Sequence, residues 1–236
     1  VKIEVLPDPD ATARQAAANI AAHAWSAVNA RGRFVMAVSG GHTPLTMLQY
    51  LADQNIPWPN VHVVQVDERV APTGHPDRNL THLKECLLAH ASLCPEQIHE
   101  MPVGAMDLET AALEYAQTLR ELAGSPPVLD LIHLGLGADG HTASLLPDDP
   151  VLDVTDVDVA LTNVYQGWPR MTLTYPILGR SRYILWLVTG REKADSLVRL
   201  FNGDVTIPAG RVSGRHACIL ADFDAAVKLI TTGPVK

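Results

Sequence analysis

Short β-rich apolar runs alternate with longer stretches of helical character along most of this chain, and that alternation restricts the fold more than any other feature. The runs are Ile3–Leu6, Phe34–Val38, Val61–Val66, Leu129–Leu136, Tyr183–Val188 and Ala217–Leu220. Such a series predicts a layered α/β/α fold. Leu129–Leu136 is apolar along most of its length, which predicts burial on both faces, as in a mostly parallel, Rossmann-like sheet covered by helices on both sides. Ligands of such sheets bind beyond the carboxyl ends of the strands, so the loops after Val38, Val66, Leu136 and Val188 are where chemistry is expected.

Helix signals fill the intervals. Asp10 can cap an Ala-rich helix with a buried stripe through Ile20, Trp25 and Val28, and Gly32 can end it. Thr43-Pro44 reads as a cap and first-turn proline opening Leu45–Ala52. Asn79 can cap a helix through Leu88, and Asp107 another through Leu113, Tyr115, Leu119 and Leu122 to Gly124. No repeat or linker divides residues 1–236, which read as one domain with a surface excursion at Pro147–Asp158.

Composition narrows the function. With 236 residues, 47% of them hydrophobic, the chain can bury a sizeable core. Its 18 Lys and Arg against 26 Asp and Glu give a net charge of −8, which argues against nonspecific nucleic-acid or anionic-membrane binding. A few cations in one pocket still suffice for a small anionic substrate. Cys86, Cys94 and Cys218 read as buried free thiols in a reducing compartment. No apolar run approaches the ~20 residues of a membrane helix, and Val1–Asp10 lacks the pattern of a signal peptide, so a soluble cytoplasmic protein is expected.

Four loops carry candidate chemistry. Ser39-Gly40-Gly41-His42-Thr43-Pro44 places two glycines before a helix start, where free N–H groups favour an anion; a plain tight connection explains it about equally well. Asp67-Glu68-Arg69 offers two carboxylates and a guanidinium for sugar hydroxyls or developing negative charge, or forms a solvated ion-pair cluster. Gly135-Leu136-Gly137-Ala138-Asp139-Gly140 matches G-x-G-x-x-G, but Asp139 would oppose a pyrophosphate and Pro147 leaves little room for the long helix of a dinucleotide site. What it offers instead is His141, an imidazole near its working pKa, two residues after a carboxylate that can fix its tautomer. Arg170 and Lys193 are the fourth set, and Lys193 stands at a helix start, where a cation opposes the dipole unless an anion binds there. No H-E-x-x-H, paired C-x-x-C, G-x-S-x-G or P-loop is present, so no metal site, α/β-hydrolase nucleophile or ATPase is expected.

Together these loops resemble the 6-phosphogluconolactonase family. The resemblance lies in SGGHTP (39–44), DERVAPTGHPDRN (67–79), GLGADGHTASLLP (135–147), WPRMTLT (168–174) and VTGREKA (188–194), in the family's order and across most of the chain. It implies hydrolysis of 6-phosphoglucono-δ-lactone in the pentose phosphate pathway. On that reading His141, Asp139 and Arg69 are catalytic, and Gly40, Gly41, Thr43, Asp67, Asn79, Arg170 and Lys193 bind the phosphorylated sugar lactone. Related glucosamine-6-phosphate deaminases carry a functional Glu where this chain has Leu146 before Pro147, which favours the lactonase. Within the lactonase pattern, His42, Ala71, Arg78 and Leu146 depart from the commoner residues. A non-catalytic sugar-phosphate sensor is the other alternative, though nothing here reads as a DNA-binding module.

Overall fold

The computed structural model describes residues 1–213 and 216–231, leaving aside the side chains of His42 and Thr231. The first half runs β1 (Lys2–Leu6), α1 (Pro9–Arg31), β2 (Phe34–Val38), α2 (His42–Ala52), β3 (Val61–Gln65), β4 (Asp67–Arg69), α3 (Asn79–Leu83) and β5 (Ile98–His99). There follow α4 (Leu108–Ala123), β6 (Leu131–Leu134), β7 (Val159–Leu161), β8 (Arg170–Leu173), α5 (Tyr175–Arg180), β9 (Ile184–Val188), α6 (Ala194–Phe201), β10 (Ala217–Asp222) and α7 (Phe223–Thr231).

Among the described residues, seven strands form one sheet in the order β1-β10-β9-β6-β2-β3-β5, and every neighbouring pair is parallel. The two-residue alternation of β2 divides the core: Phe34, Met36 and Val38 pack with α1 and α2, while Val35 and Ala37 join the cluster built from α4, α5, α6 and α7. The α/β fold expected from the apolar runs is therefore present, with helices on both faces. Among the described residues, no helix is long and apolar enough to cross a membrane.

Local details depart from the sequence reading. The cap of α1 is Asp8, whose carboxylate accepts the Ala11 N–H at 2.8 Å; Asp10 lies inside the first turn and receives Arg14 and Tyr50. The buried stripe of α1 is Ile20 with Thr12 and six alanines. Trp25 is 41% exposed, its Nε1 donating to the Asn55 carbonyl. At α2 the cap is Gly41, at φ 107°, and Thr43 sits within the first turn. The helix at Asn79 keeps α geometry only to Leu83 and then widens into a π turn over Lys84–Leu88. Asp107 and Gly32 cap as expected. Cys86 and Cys218 are buried free thiols, whereas Cys94 is exposed.

Asp67-Glu68-Arg69 is a strand rather than a loop, and it pairs antiparallel with Arg170–Leu173 in a three-stranded sheet ordered β4-β8-β7. This second sheet continues the chain beyond the carboxyl end of β3 and sets Arg69 directly opposite Arg170.

Candidate active site

At the carboxyl ends of the parallel strands, beside the small sheet, lies a cleft of about 300 Å³. Gly40, Gly41, Thr43, Asp67, Arg69, Asn79, His141, Arg170 and Lys193 all line it, so residues far apart in sequence converge on one surface. Asp139 does not line the cleft and instead stands behind His141.

Glu68 explains why this wall is ordered. Its carboxylate is wholly buried and accepts N–H groups from Arg69, Asn79 and Leu80, each at 2.8 Å, and from the Gln65 amide at 2.9 Å. Arg78 adds an ion pair at 3.2 Å. The solvated ion-pair alternative for this segment is therefore wrong: both carboxylates are buried. Because Glu68 satisfies the N–H groups at the start of α3, the Asn79 side chain is free for the cleft. Asn79 Nδ2 donates to the Asp67 carbonyl and carboxylate, and its Oδ1 accepts from Arg69 at 3.0 Å. Gly40 makes room for it, since a Cβ there would lie 2.0 Å from Asn79 Oδ1.

Ser144 bridges Asp67 and Arg170, both of which line the cleft. The Ser144 hydroxyl donates to Asp67 Oδ2 at 2.6 Å and accepts from Arg170 at 3.4 Å. Burial raises the Asp67 pKa, against the Ser144 hydrogen bond and the nearby guanidinium groups. Burial also lowers that of Arg170, against the attraction of Asp67. On the opposite side, the Thr43 hydroxyl meets that of Thr189 at 3.1 Å, joining the first loop to the end of β9. Gly190 after it donates its N–H to Asp222, and the chain then turns through Arg191–Lys193 into α6. Lys193 caps that helix and has no ion pair among the described residues.

The loop after β6 closes on itself without forming a long helix, which removes the dinucleotide reading. The Gly137 N–H donates to the His141 carbonyl at 2.8 Å, and Gly140 turns at φ 85° against Ile207. Asp139 Oδ1 approaches His141 Nδ1 to 2.6 Å. Burial pushes the Asp139 pKa up, but the His141 amide and imidazole outweigh it and hold the carboxyl below its ordinary value. Gly137 is required by this pair, because a Cβ there would stand 2.1 Å from His141 Nδ1. Among the described residues no group of three or more His, Cys, Asp or Glu side chains could hold a metal.

Sequence reasoning overlooked Ser144, Thr189 and Glu192, all near or within the cleft. Ser144 and Thr189 belong to motifs quoted above, but their hydroxyl partners come from distant elements, strands β4 and β8 for Ser144 and the first turn of α2 for Thr189.

A parallel sheet with a cleft at its carboxyl edge, lined by Arg69, His141, Arg170 and Lys193, defines a Rossmann-like α/β protein. The sequence pattern of the glucosamine-6-phosphate isomerases/6-phosphogluconolactonase matches residues 7–220, and the chain belongs to that family. The 6-phosphogluconolactonase of Mycobacterium tuberculosis is 37% identical over 241 residues, covering 96% of this chain and 98% of that protein. That of Synechocystis is 36% identical over 204 residues, 85% of each. The crystal structure of the Thermotoga maritima 6-phosphogluconolactonase superposes with a TM-score of 0.84 at 27% identity, covering 94% of this chain and 98% of that one.

Proposed function

We propose that this chain hydrolyses 6-phospho-D-glucono-1,5-lactone to 6-phospho-D-gluconate, a lactone-opening step of the pentose phosphate pathway, in the cytoplasm. Family membership and the relatives' names support a lactone hydrolase. The observation that carries the mechanism is the Asp139–His141 pair at the edge of a cleft that also presents Arg69, Arg170 and Lys193.

In this reading Asp139 holds Nδ1, leaving His141 Nε2 to take a proton from water. The hydroxide adds to the lactone carbonyl, and Arg69 stabilises the resulting oxyanion. Collapse breaks the bond to the ring oxygen, which receives the proton from the imidazolium. Gly40, Gly41 and Thr43 with Arg170 and Lys193 hold the phosphate, while Asp67 and Asn79 contact hydroxyls. Arg69 faces Arg170 across the small sheet, so it also stands within reach of the phosphate. The mechanism uses no metal or cofactor.

Two alternatives have separate signatures. Deaminase chemistry would need a group where Leu146 stands, and that side chain is apolar and buried at 4% exposure. A sensor would bind a sugar phosphate without turnover. A coupled assay with freshly generated lactone, with and without chelator, tests the proposal: hydrolysis faster than the spontaneous reaction and indifferent to chelator is expected. Ammonia release from glucosamine 6-phosphate, or binding without turnover, would replace it.

A further inference from the structure

Arg170 is only 3% exposed, yet its guanidinium is weakly held by hydrogen bonds. Its Nε has no partner among the described residues, and its terminal nitrogens reach Ser144 Oγ and Gln166 Oε1 only at 3.4 Å. Contacts that long contribute little directional restraint. The close neighbour that does restrain it is an aromatic face: Arg170 Cζ lies 4.9 Å from the centroid of the Tyr165 ring. Cation–π attraction strengthens where water is excluded, and here Arg170 is buried and Tyr165 half-buried.

Tyr165 is itself fixed by a tight hairpin. It pairs with Trp168 across Gln166 and Gly167, both at positive φ, 51° and 89°. Trp168 fastens the hairpin to the second loop, its Nε1 donating to Asp77 Oδ2 at 2.8 Å and its ring meeting His75 at 5.3 Å between centroids. The main-chain oxygen of that same Asp77 accepts from Arg69. One hairpin thus bears on both guanidinium groups that face each other across the small sheet.

The geometry points to Tyr165 as a positioning residue that sets selectivity for the phosphorylated substrate by holding the Arg170 guanidinium toward the cleft. This inference rests on the lactonase reading and adds a residue to it. Tyr165 does not line the cleft, and its hydroxyl has no hydrogen bond among the described residues, so the ring face is the part that acts. His141, whose ring centroid is 6.2 Å away, is a neighbour that a nonspecific defect at Tyr165 would also disturb.

The test compares Tyr165→Leu with Tyr165→Phe on 6-phosphogluconolactone and on unphosphorylated gluconolactone. Removing the ring is expected to lower the ratio of the two kcat/KM values by about fivefold to tenfold, through KM for the phosphorylated lactone, while Phe keeps the ratio. Equal losses on both lactones, or Phe behaving as Leu, would overturn the inference. Titration with inorganic phosphate reads the same contact without turnover. Weaker phosphate binding in Leu but not in Phe sustains the inference even if the wild type fails to hydrolyse the lactone, and unchanged binding in Leu contradicts it.

Discussion

Nδ1 of His141 stands 2.6 Å from Oδ1 of Asp139, and that same oxygen accepts the His141 main-chain N–H at 3.1 Å. The carboxylate is thus tied to both ends of the residue it orients. Asp139→Asn replaces an acceptor with an ambiguous amide that can present N–H to Nδ1 and reverse the tautomer. A loss of kcat of about tenfold or more, with KM little changed, is expected from steady-state kinetics. An unchanged kcat would deny Asp139 any orienting role.

Gly137→Ala offers a second approach to the pair. A Cβ would lie 2.1 Å from His141 Nδ1 and 2.4 Å from Asp139 Oδ1, so both side chains must move. Misplacing a general base by about 1 Å costs on the order of a hundredfold. Turnover should therefore collapse while phosphate binding, measured by titration, survives. Full activity would show that the pair's close geometry is dispensable.

Arg170→Ala and Lys193→Ala should impair the phosphorylated lactone far more than unphosphorylated gluconolactone. A charge-assisted hydrogen bond contributes roughly 1.5–3 kcal/mol, or about one to two orders of magnitude in kcat/KM. Parallel measurements on Arg69→Ala separate its two roles. Loss on both lactones assigns it to the oxyanion, and loss on the phosphorylated one alone assigns it to the phosphate.

Asp67 carries a stability cost that its position in the cleft explains. Burial raises its pKa, so the charged form is disfavoured in the fold. The cost is absent below the unfolded pKa, grows as pH rises toward the folded one, and is full above it. Asp67→Asn should accordingly raise the thermal midpoint at neutral pH while reducing activity, with the gain vanishing in acid. A lower midpoint at pH 7 would show that the Arg170 attraction outweighs burial. Glu68→Gln should act oppositely: it puts a donor where five donors converge, at a cost of about 3 kcal/mol and roughly 6–12 °C.

Local features of the fold are legible in the chain. Phe34–Val38 is a strand as expected, Asp107 and Gly32 cap where expected, and the Gly-rich loops fall at strand ends because those signals involve near neighbours. The small sheet was not readable, because Asp67–Arg69 and Arg170–Leu173 are short strands that acquire meaning only when paired. The burial of Glu68 was hidden for the same reason: most sequences rich in Asp, Glu and Arg are solvated. Asp8-Pro9-Asp10 offers two cap candidates, and the proline at the first helical position decides for Asp8 over Asp10. Ser144 and Tyr165 matter only through partners that the fold delivers.

The role of His141 is tested most directly by kcat of His141→Asn on freshly generated 6-phosphogluconolactone, corrected for spontaneous hydrolysis. With the phosphate contacts proposed for other residues, substrate affinity should persist while kcat falls by at least two orders of magnitude, within the roughly 10²–10⁴-fold contribution of a general base. A folded variant with near-normal kcat would contradict the account, and Asp67, the remaining carboxylate on the cleft wall whose pKa is raised, would become the first base to test.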